Sequence, residues 1–82
     1  MKILVELRVP SIGAKYELFI PSFLPIKQVI EMLSKGVEEL SDGGFTPSGE
    51  EFLCLEGAPL PMNYEYTLDQ YSIQNGDTLL LI

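Results

Sequence analysis

Hydrophobic side chains in this chain follow two different periods, and the order of those periods restricts the folds that it can adopt. Residues 1–9 alternate between apolar and mostly polar side chains, and residues 15–20 alternate again. Alternation with a period of two is typical of a strand with one buried face. Pro10 and Gly13 lie between the two segments and favour a turn. The first twenty residues therefore predict an antiparallel hairpin whose inward side chains are Ile3, Val5, Leu7, Val9, Tyr16, Leu18 and Ile20.

The period changes to that of a helix in the next segment. Pro25 suits the first helical position, where the missing N–H costs nothing. Apolar residues then recur at steps of three and four, which predicts a helix of about sixteen residues covering one face of a sheet. The predicted stripe consists of Ile26, Val29, Ile30, Leu33, Val37 and Leu40.

The second half of the chain predicts shorter elements. Residues 41–50 are rich in glycine and small polar side chains, which indicates a flexible loop. A strand is expected over 51–55, a short edge strand over 58–60, and a final apolar strand over 78–82, after a tight turn at 75–77. Apart from the short edge strand, the resulting order is ββαββ, an α+β class with one helix packed on a sheet, in a single domain spanning residues 1–82.

The residue types present limit the chemistry. The chain has no histidine, which excludes Ser-His-Asp catalysis, Cys-His catalysis and histidine-containing metal sites. Its one cysteine, Cys54, is interpreted as a small apolar strand residue with acidic neighbours. The adjacent acids Glu50 and Glu51 are interpreted as solvated, and no glycine-rich phosphate-binding motif is present. We therefore expect no catalytic residues, no cofactor and no metal.

Charge is distributed unevenly along the chain. The net charge is −7, all five basic residues precede residue 36, and most of the acids follow it. This balance argues against a nucleic-acid partner, which would require clustered Lys and Arg. Two interpretations of the acidic half remain: a solvated surface, or a patch that meets a basic surface on a partner protein.

No apolar run approaches the roughly 18 residues of a membrane span, and the first residues lack the layout of a secretory signal. We therefore expect a cytoplasmic protein without direct membrane insertion.

Two families share motifs with this chain. The pattern formed by Thr67, Leu68, Tyr71, Ile73, Gln74, Thr78, Leu79 and Leu81 resembles the closing segment of ubiquitin. The stretches 16–33 and 72–81 are similar to the YukD-like (EsaB-like) proteins, small ubiquitin-like proteins associated with type VII (WXG100) secretion in Gram-positive bacteria. The resemblance implies a ubiquitin-like β-grasp fold, ββαββ with one helix packed on a mixed sheet, in which the last strand lies in the middle of the sheet. It also implies a non-catalytic interaction module, an accessory or regulatory component of that secretion system.

Strand parity predicts where such a module would bind. If Leu79 and Leu81 face the helix, Leu80 and Ile82 face outward. On the third strand, over 51–55, Leu53 and Leu55 face inward, which leaves Cys54 outward. Leu4 is the outward apolar residue of the first strand. We expect Leu4, Cys54, Leu80 and Ile82 to lie side by side as a protein-binding surface, since the corresponding face of ubiquitin docks proteins. The alternative is that this apolar face is covered by a second copy in a homo-oligomer.

Two other functions remain open at this stage. One is a covalent modifier or sulfur carrier, which the resemblance disfavours because such proteins continue past the last strand into a Gly-Gly tail that this sequence lacks. The other is a ubiquitin-like domain excised from a larger protein. The identity of the partner is not encoded in any motif.

Overall fold

One helix covers a four-stranded sheet in the computed structural model, which describes residues 1–82. The elements are β1 (Lys2–Val9), β2 (Ala14–Pro21), α1 (Ile26–Leu40), β3 (Leu53–Leu55) and β4 (Thr78–Leu81), with 3₁₀ turns at Pro10–Ile12 and Asp69–Tyr71. The strand order is β2-β1-β4-β3; β1 and β4 are parallel, and the outer pairs are antiparallel. The predicted α+β class, the mixed sheet and the central position of the last strand are confirmed.

The predicted hairpin forms with β1 and β2 paired over their whole length, from Lys2 opposite Pro21 to Val9 opposite Ala14. The connecting turn ends at Gly13, whose φ of +63° lies in the left-handed region and whose N–H donates to the Pro10 carbonyl at 3.1 Å. A glycine is needed here because a side chain at this φ would be strained. The inward face of β1 is fully buried, as the alternation predicts.

Helix α1 begins at Ile26, one residue later than predicted, because Pro25 keeps an extended ψ of 142°. No side chain caps this end. Instead, the Ile26 N–H donates to the Tyr66 carbonyl at 2.7 Å, and the Lys27 N–H donates to the Tyr64 carbonyl at 2.9 Å. Segment 64–66 therefore supplies the acceptors that the first amides of a helix require.

The core lies between α1 and the inner face of the sheet. Five of the six residues of the predicted helical stripe are buried there, and Leu40 is the exception, with 57% of its surface exposed. The prediction for Leu40 was wrong because the last turn of α1 extends beside β2, where Leu40 borders an open groove with Leu18. The core side chains are Ile3, Val5, Leu7, Val9, Ile20, Ile26, Val29, Ile30, Leu33, Val37, Phe45, Leu53, Met62, Leu68, Ile73, Leu79 and Leu81.

The predicted edge strand over 58–60 does not form, so the sheet has four strands. The Ala58 N–H closes a turn onto the Leu55 carbonyl at 3.0 Å, and the chain returns so that the Met62 N–H donates to the Leu53 carbonyl at 2.8 Å. Pro59 and Pro61 lack the N–H groups that a ladder requires, which explains why this segment covers the edge of β3 without extending the sheet.

β3 is also shorter than the predicted strand over 51–55. The pairing nevertheless continues one step beyond it, because Phe52 and Ile82 exchange two backbone hydrogen bonds at 2.7 and 2.9 Å.

The loop over 41–50 is anchored at both ends. The Ser41 hydroxyl accepts a hydrogen bond from the Phe45 N–H at 2.9 Å, and the Phe45 ring is buried in the core. At the other end Glu51 is only 8% exposed, so its interpretation as a solvated acid was wrong. Its carboxylate accepts hydrogen bonds from the Ser48 N–H and hydroxyl, both at 2.6 Å, and from the Gly49 N–H at 3.2 Å. The loop itself thus supplies the donors that allow this carboxylate to be buried.

The helix of this protein is too short and too polar to cross a membrane.

Candidate functional site

The outward side chains of β3 and β4 form one apolar surface. The antiparallel pairing places Cys54 directly opposite Leu80, and the next pair along is Phe52 with Ile82. Leu79, Leu81 and Leu53 are fully buried, which leaves the alternate residues of both strands on the outer face, as parity predicts. The structure therefore brings together three of the four residues that the sequence singles out: Cys54, Leu80 and Ile82.

Leu4 lies elsewhere on this face. The parallel pairing of β1 with β4 places Arg8, not Leu4, beside Leu80. Leu4 is four residues away along β1, roughly 13 Å at the rise of a strand, and its neighbour on β2 is Phe19. The expectation that all four residues lie side by side was wrong, because parity assigns a residue to a face but does not set the register between strands.

Two residues that the sequence reasoning missed enlarge the surface. The ring of Phe52, 44% exposed, stacks on the ring of Tyr64 with centroids 5.8 Å apart and planes 9° from parallel. The Tyr64 hydroxyl donates to the Glu51 carbonyl at 3.1 Å, which fixes this ring beside the edge of β3. Phe52 has the same parity as Cys54, so the alternation of the strand could have revealed it. The position of Tyr64 depends on the segment that turns back along β3 after Leu55, and no local sequence pattern indicates this turn. We name Phe52, Cys54, Tyr64, Leu80 and Ile82 the β3–β4 patch.

A row of polar side chains borders the patch. The Arg8 guanidinium contacts Glu6 at 2.9 Å through Nε and Glu56 at 2.7 Å through Nη1, so it extends from β1 across β4 to the end of β3. The Thr78 hydroxyl donates to the Glu6 carboxylate at 3.3 Å. The hydrogen bond from Arg8 lowers the pKa of Glu6. The row separates the β3–β4 patch from Leu4 and Phe19.

Cys54 is half-buried within the patch, and burial raises the pKa of its thiol. A raised pKa reduces the thiolate fraction at neutral pH, and the thiolate is the reactive form. The only guanidinium on this face, that of Arg8, is paired with two carboxylates. The surroundings of Cys54 thus favour a packing role over a nucleophilic one.

A groove lies on the helical side of the domain. This groove, about 350 Å³, separates α1 from the loop that ends at Glu51, and Lys27, Ile30, Ser34 and Tyr64 are among the residues that line it. The Ser34 hydroxyl is buried here without a hydrogen-bond partner. The structure contains no group of three or more Cys, Asp or Glu side chains arranged to hold a metal ion.

Comparison with known proteins gives similarity in structure only. No family model matches the sequence, and no curated protein matches it. A protomer of the ESX-3 core complex superimposes with a TM-score of 0.76 and 22% identity, over all of this chain and 16% of the longer one. The ubiquitin-like domain of the type VII secretion protein ECCD1 from Mycobacterium tuberculosis has a TM-score of 0.67 and 19% identity, covering 100% of this chain and 98% of that domain.

Ubiquitin from Caldiarchaeum subterraneum matches over all of this chain and 92% of its own, with a TM-score of 0.70 and 17% identity. The chain therefore has the ubiquitin-like β-grasp fold, and its structural neighbours include ubiquitin-like domains of type VII secretion proteins.

Proposed function

We propose that this protein is a non-catalytic ubiquitin-like interaction module that docks a partner protein through the β3–β4 patch. The observation that carries the proposal is the continuity of the patch: five apolar or aromatic side chains adjoin one another around the edge of the sheet. Single exposed apolar residues are common on protein surfaces, but a contiguous group rimmed by polar residues is typical of an interaction site.

The patch is well suited to binding because its backbone is already ordered. β4 lies between two hydrogen-bonded neighbours, and the Phe52–Ile82 pairing holds the outer end of the surface. A preformed surface loses little conformational freedom when a partner binds. Aromatic side chains such as Phe52 and Tyr64 are enriched in protein interfaces, and tyrosine is also enriched among the residues that dominate binding energy.

The acidic surroundings favour a partner with a basic surface. Glu50, Glu56 and Glu65 are exposed and lie within two residues of Phe52, Cys54 or Tyr64 along the chain, and the whole chain carries a net charge of −7. Charges at the rim of an interface mainly raise the association rate and make it dependent on salt. We expect the association rate to fall as ionic strength rises, with a smaller effect on dissociation.

We further propose that this module works in type VII secretion, as an accessory or regulatory component on the cytoplasmic side of a bacterial membrane. Support comes from the structural neighbours in the ESX-3 core complex and in ECCD1, together with the motifs shared with YukD-like proteins. The chain spans 16% of the ESX-3 protomer, so the proposal concerns a single module and not the activity of that complex.

Site-specific crosslinking in the native host tests the docking proposal. A photoreactive phenylalanine analogue at position 82, which is 61% exposed, should capture a discrete protein that mass spectrometry can identify. The same analogue at position 60, which is 75% exposed but outside the patch, is the matched control. A secretion-system protein captured at 82 and not at 60 would support both parts of the proposal.

Substitution then locates the binding surface. Leu80→Asp should weaken binding of the captured partner by at least about tenfold, since it places a charge in the centre of the patch. Leu4→Asp is the control, because Leu4 is half-buried on the same face but beyond the polar row. Circular dichroism checks the fold of both variants. Equal losses from the two variants, or none from Leu80→Asp, would contradict docking through the β3–β4 patch.

A further inference from the structure

The two edge strands of the sheet differ in whether another segment of the chain covers them. The edge of β3 is covered, since Met62 donates to the Leu53 carbonyl and Ala58 donates to the Leu55 carbonyl. β2, the other edge strand, is eight residues long and has no chain segment beside it. An uncovered edge of this length is a template for pairing with another strand.

The hydrogen-bonding pattern identifies the free groups on β2. Leu4 and Glu6 direct their backbone groups toward β4, as shown by the bonds from Gly76 N–H to the Leu4 carbonyl and from Glu6 N–H to the Asp77 carbonyl. In an antiparallel ladder the residues opposite them on β2 must then point away from β1. The N–H and C=O groups of Lys15, Glu17 and Phe19 thus face outward, and no other group of the chain pairs with them.

The charged side chains of β2 are also mismatched within their own chain. Lys15 lies directly opposite Arg8, and Glu17 lies directly opposite Glu6. Like charges in directly opposed positions are unfavourable. The ion pairs of the protein involve Arg8, Glu6 and Glu56, so neither Lys15 nor Glu17 forms a salt bridge. The charge of Lys15 contributes, at longer range, to the lowered pKa of Glu6.

We propose that two copies of this chain pair through their β2 strands, antiparallel and centred on Tyr16. This register places Lys15 of each copy opposite Glu17 of the other, so that both residues, which form no salt bridge within the chain, face an opposite charge. Both positions are ones whose backbone groups point outward, so each pair exchanges two N–H···O bonds. The neighbouring register, centred on Glu17, would instead oppose two carboxylates.

The resulting dimer has a two-fold axis perpendicular to one continuous sheet. Both helices then lie on the same face, and the second copy covers the apolar groove of about 190 Å³ beside β2, which Leu18, Gly36 and Leu40 help to line. The contact between the two copies would also bury Leu40, whose side chain is otherwise exposed at the end of α1. Both β3–β4 patches remain free, because β3 is the edge of the sheet opposite to β2, so this inference stands whether or not the proposed docking function is correct.

Exchanging the charges at positions 15 and 17 tests the pairing of the two β2 strands. Sedimentation equilibrium between about 10 µM and 1 mM should show a dimer fraction that increases with protein concentration. Dissociation constants in this range are expected for a small interface. Lys15→Glu and Glu17→Lys should each weaken dimerisation by at least about tenfold, because each opposes like charges twice. The double variant Lys15→Glu/Glu17→Lys should associate more tightly than either single variant, because it again opposes unlike charges between the two β2 strands, even though the exchanged charges also lie opposite Arg8 and Glu6 of their own chain. Lys27→Glu changes the charge equally on the other side of α1 and should leave the dimer unchanged.

Amide hydrogen exchange supplies a second readout that does not depend on variants. The Lys15 and Glu17 amides should become protected as concentration rises, while the Leu60 amide should not. A wild-type chain that stays monomeric at 1 mM would overturn the proposal. A double variant that associates no more tightly than the single variants would also overturn it, and so would a dimer that Leu80→Asp dissociates.

Discussion

The Oδ1 atom of Asn75 accepts a hydrogen bond from the Leu4 N–H at 2.8 Å, across 71 residues of sequence. The adjacent Gly76 N–H donates to the Leu4 carbonyl at 2.9 Å. The turn before β4 thus satisfies both backbone groups of Leu4 at the point where the parallel pairing with β1 begins. The turn predicted at residues 75–77 therefore also sets the register of the central strands.

Asn75→Ala should lower the free energy of unfolding by about 1 kcal/mol, because the Leu4 N–H loses its acceptor at a partly solvated site. Asn75→Asp retains an acceptor oxygen and should lie closer to the wild type. Urea unfolding monitored by circular dichroism measures both. A wild-type stability for Asn75→Ala would show that water replaces this contact without cost.

Gly36 and Gly76 should respond in opposite ways to alanine. Gly76 has a φ of +91°, where a side chain is strained, so Gly76→Ala should destabilise the fold by about 1–2 kcal/mol. Gly36 lies within α1, and an added Cβ would meet no atom within 4 Å, so Gly36→Ala should stabilise by about 0.5–1 kcal/mol. Thermal unfolding of the two variants should therefore show melting temperatures on opposite sides of the wild-type value.

Glu51 should make stability depend on pH in the acidic range. Its burial opposes ionisation, but the hydrogen bonds from Ser48 and Gly49 outweigh this effect and lower its pKa. The folded-state pKa therefore lies below the unfolded value of about 4.3. The stabilising contribution is complete above the unfolded pKa and is lost as pH falls through the folded pKa.

Replacing the Glu51 carboxylate tests this dependence of stability on pH. Glu51→Gln should lower the free energy of unfolding by about 1–2 kcal/mol at pH 7, and the deficit should shrink toward pH 3. Urea unfolding at a series of pH values measures it. Glu50→Gln, at the exposed neighbouring position, should stay within about 0.5 kcal/mol of the wild type. A deficit for Glu51→Gln that is constant with pH would exclude the charged state as its source.

Cys54 should react slowly with iodoacetamide at pH 8 in the folded chain, because burial raises the pKa of the thiol and restricts access. The same reaction in denaturing urea should be faster, and intact-mass spectrometry can follow both. Binding of the partner through the β3–β4 patch should slow the folded reaction further. A folded rate equal to the unfolded rate would contradict the half-buried position of Cys54.

Local periodicity accounts for what could be predicted. The alternation in residues 1–9 assigns Leu7 to the core and Leu4 to the outer face, and the helical stripe assigns Val29 and Leu33 to the buried side. Each of these assignments depends on the geometry of one element, which neighbouring residues specify. The predictions were wrong for Leu40, for Glu51 and for the strand over 58–60, where the outcome depends on contacts between different segments of the chain.

The sequence by itself determined the element order, the two faces of the sheet and the absence of histidine chemistry, because these depend on composition and on short-range spacing. Only the tertiary structure decided which outward residues are neighbours. The parallel pairing of Arg8 with Leu80 separates Leu4 from the β3–β4 patch, and the returning chain adds Tyr64 to it. The first relationship depends on hydrogen bonds between residues more than seventy positions apart, such as Glu6 with Asp77, and the second depends on the bond between Tyr64 and Glu51. No local period encodes either contact.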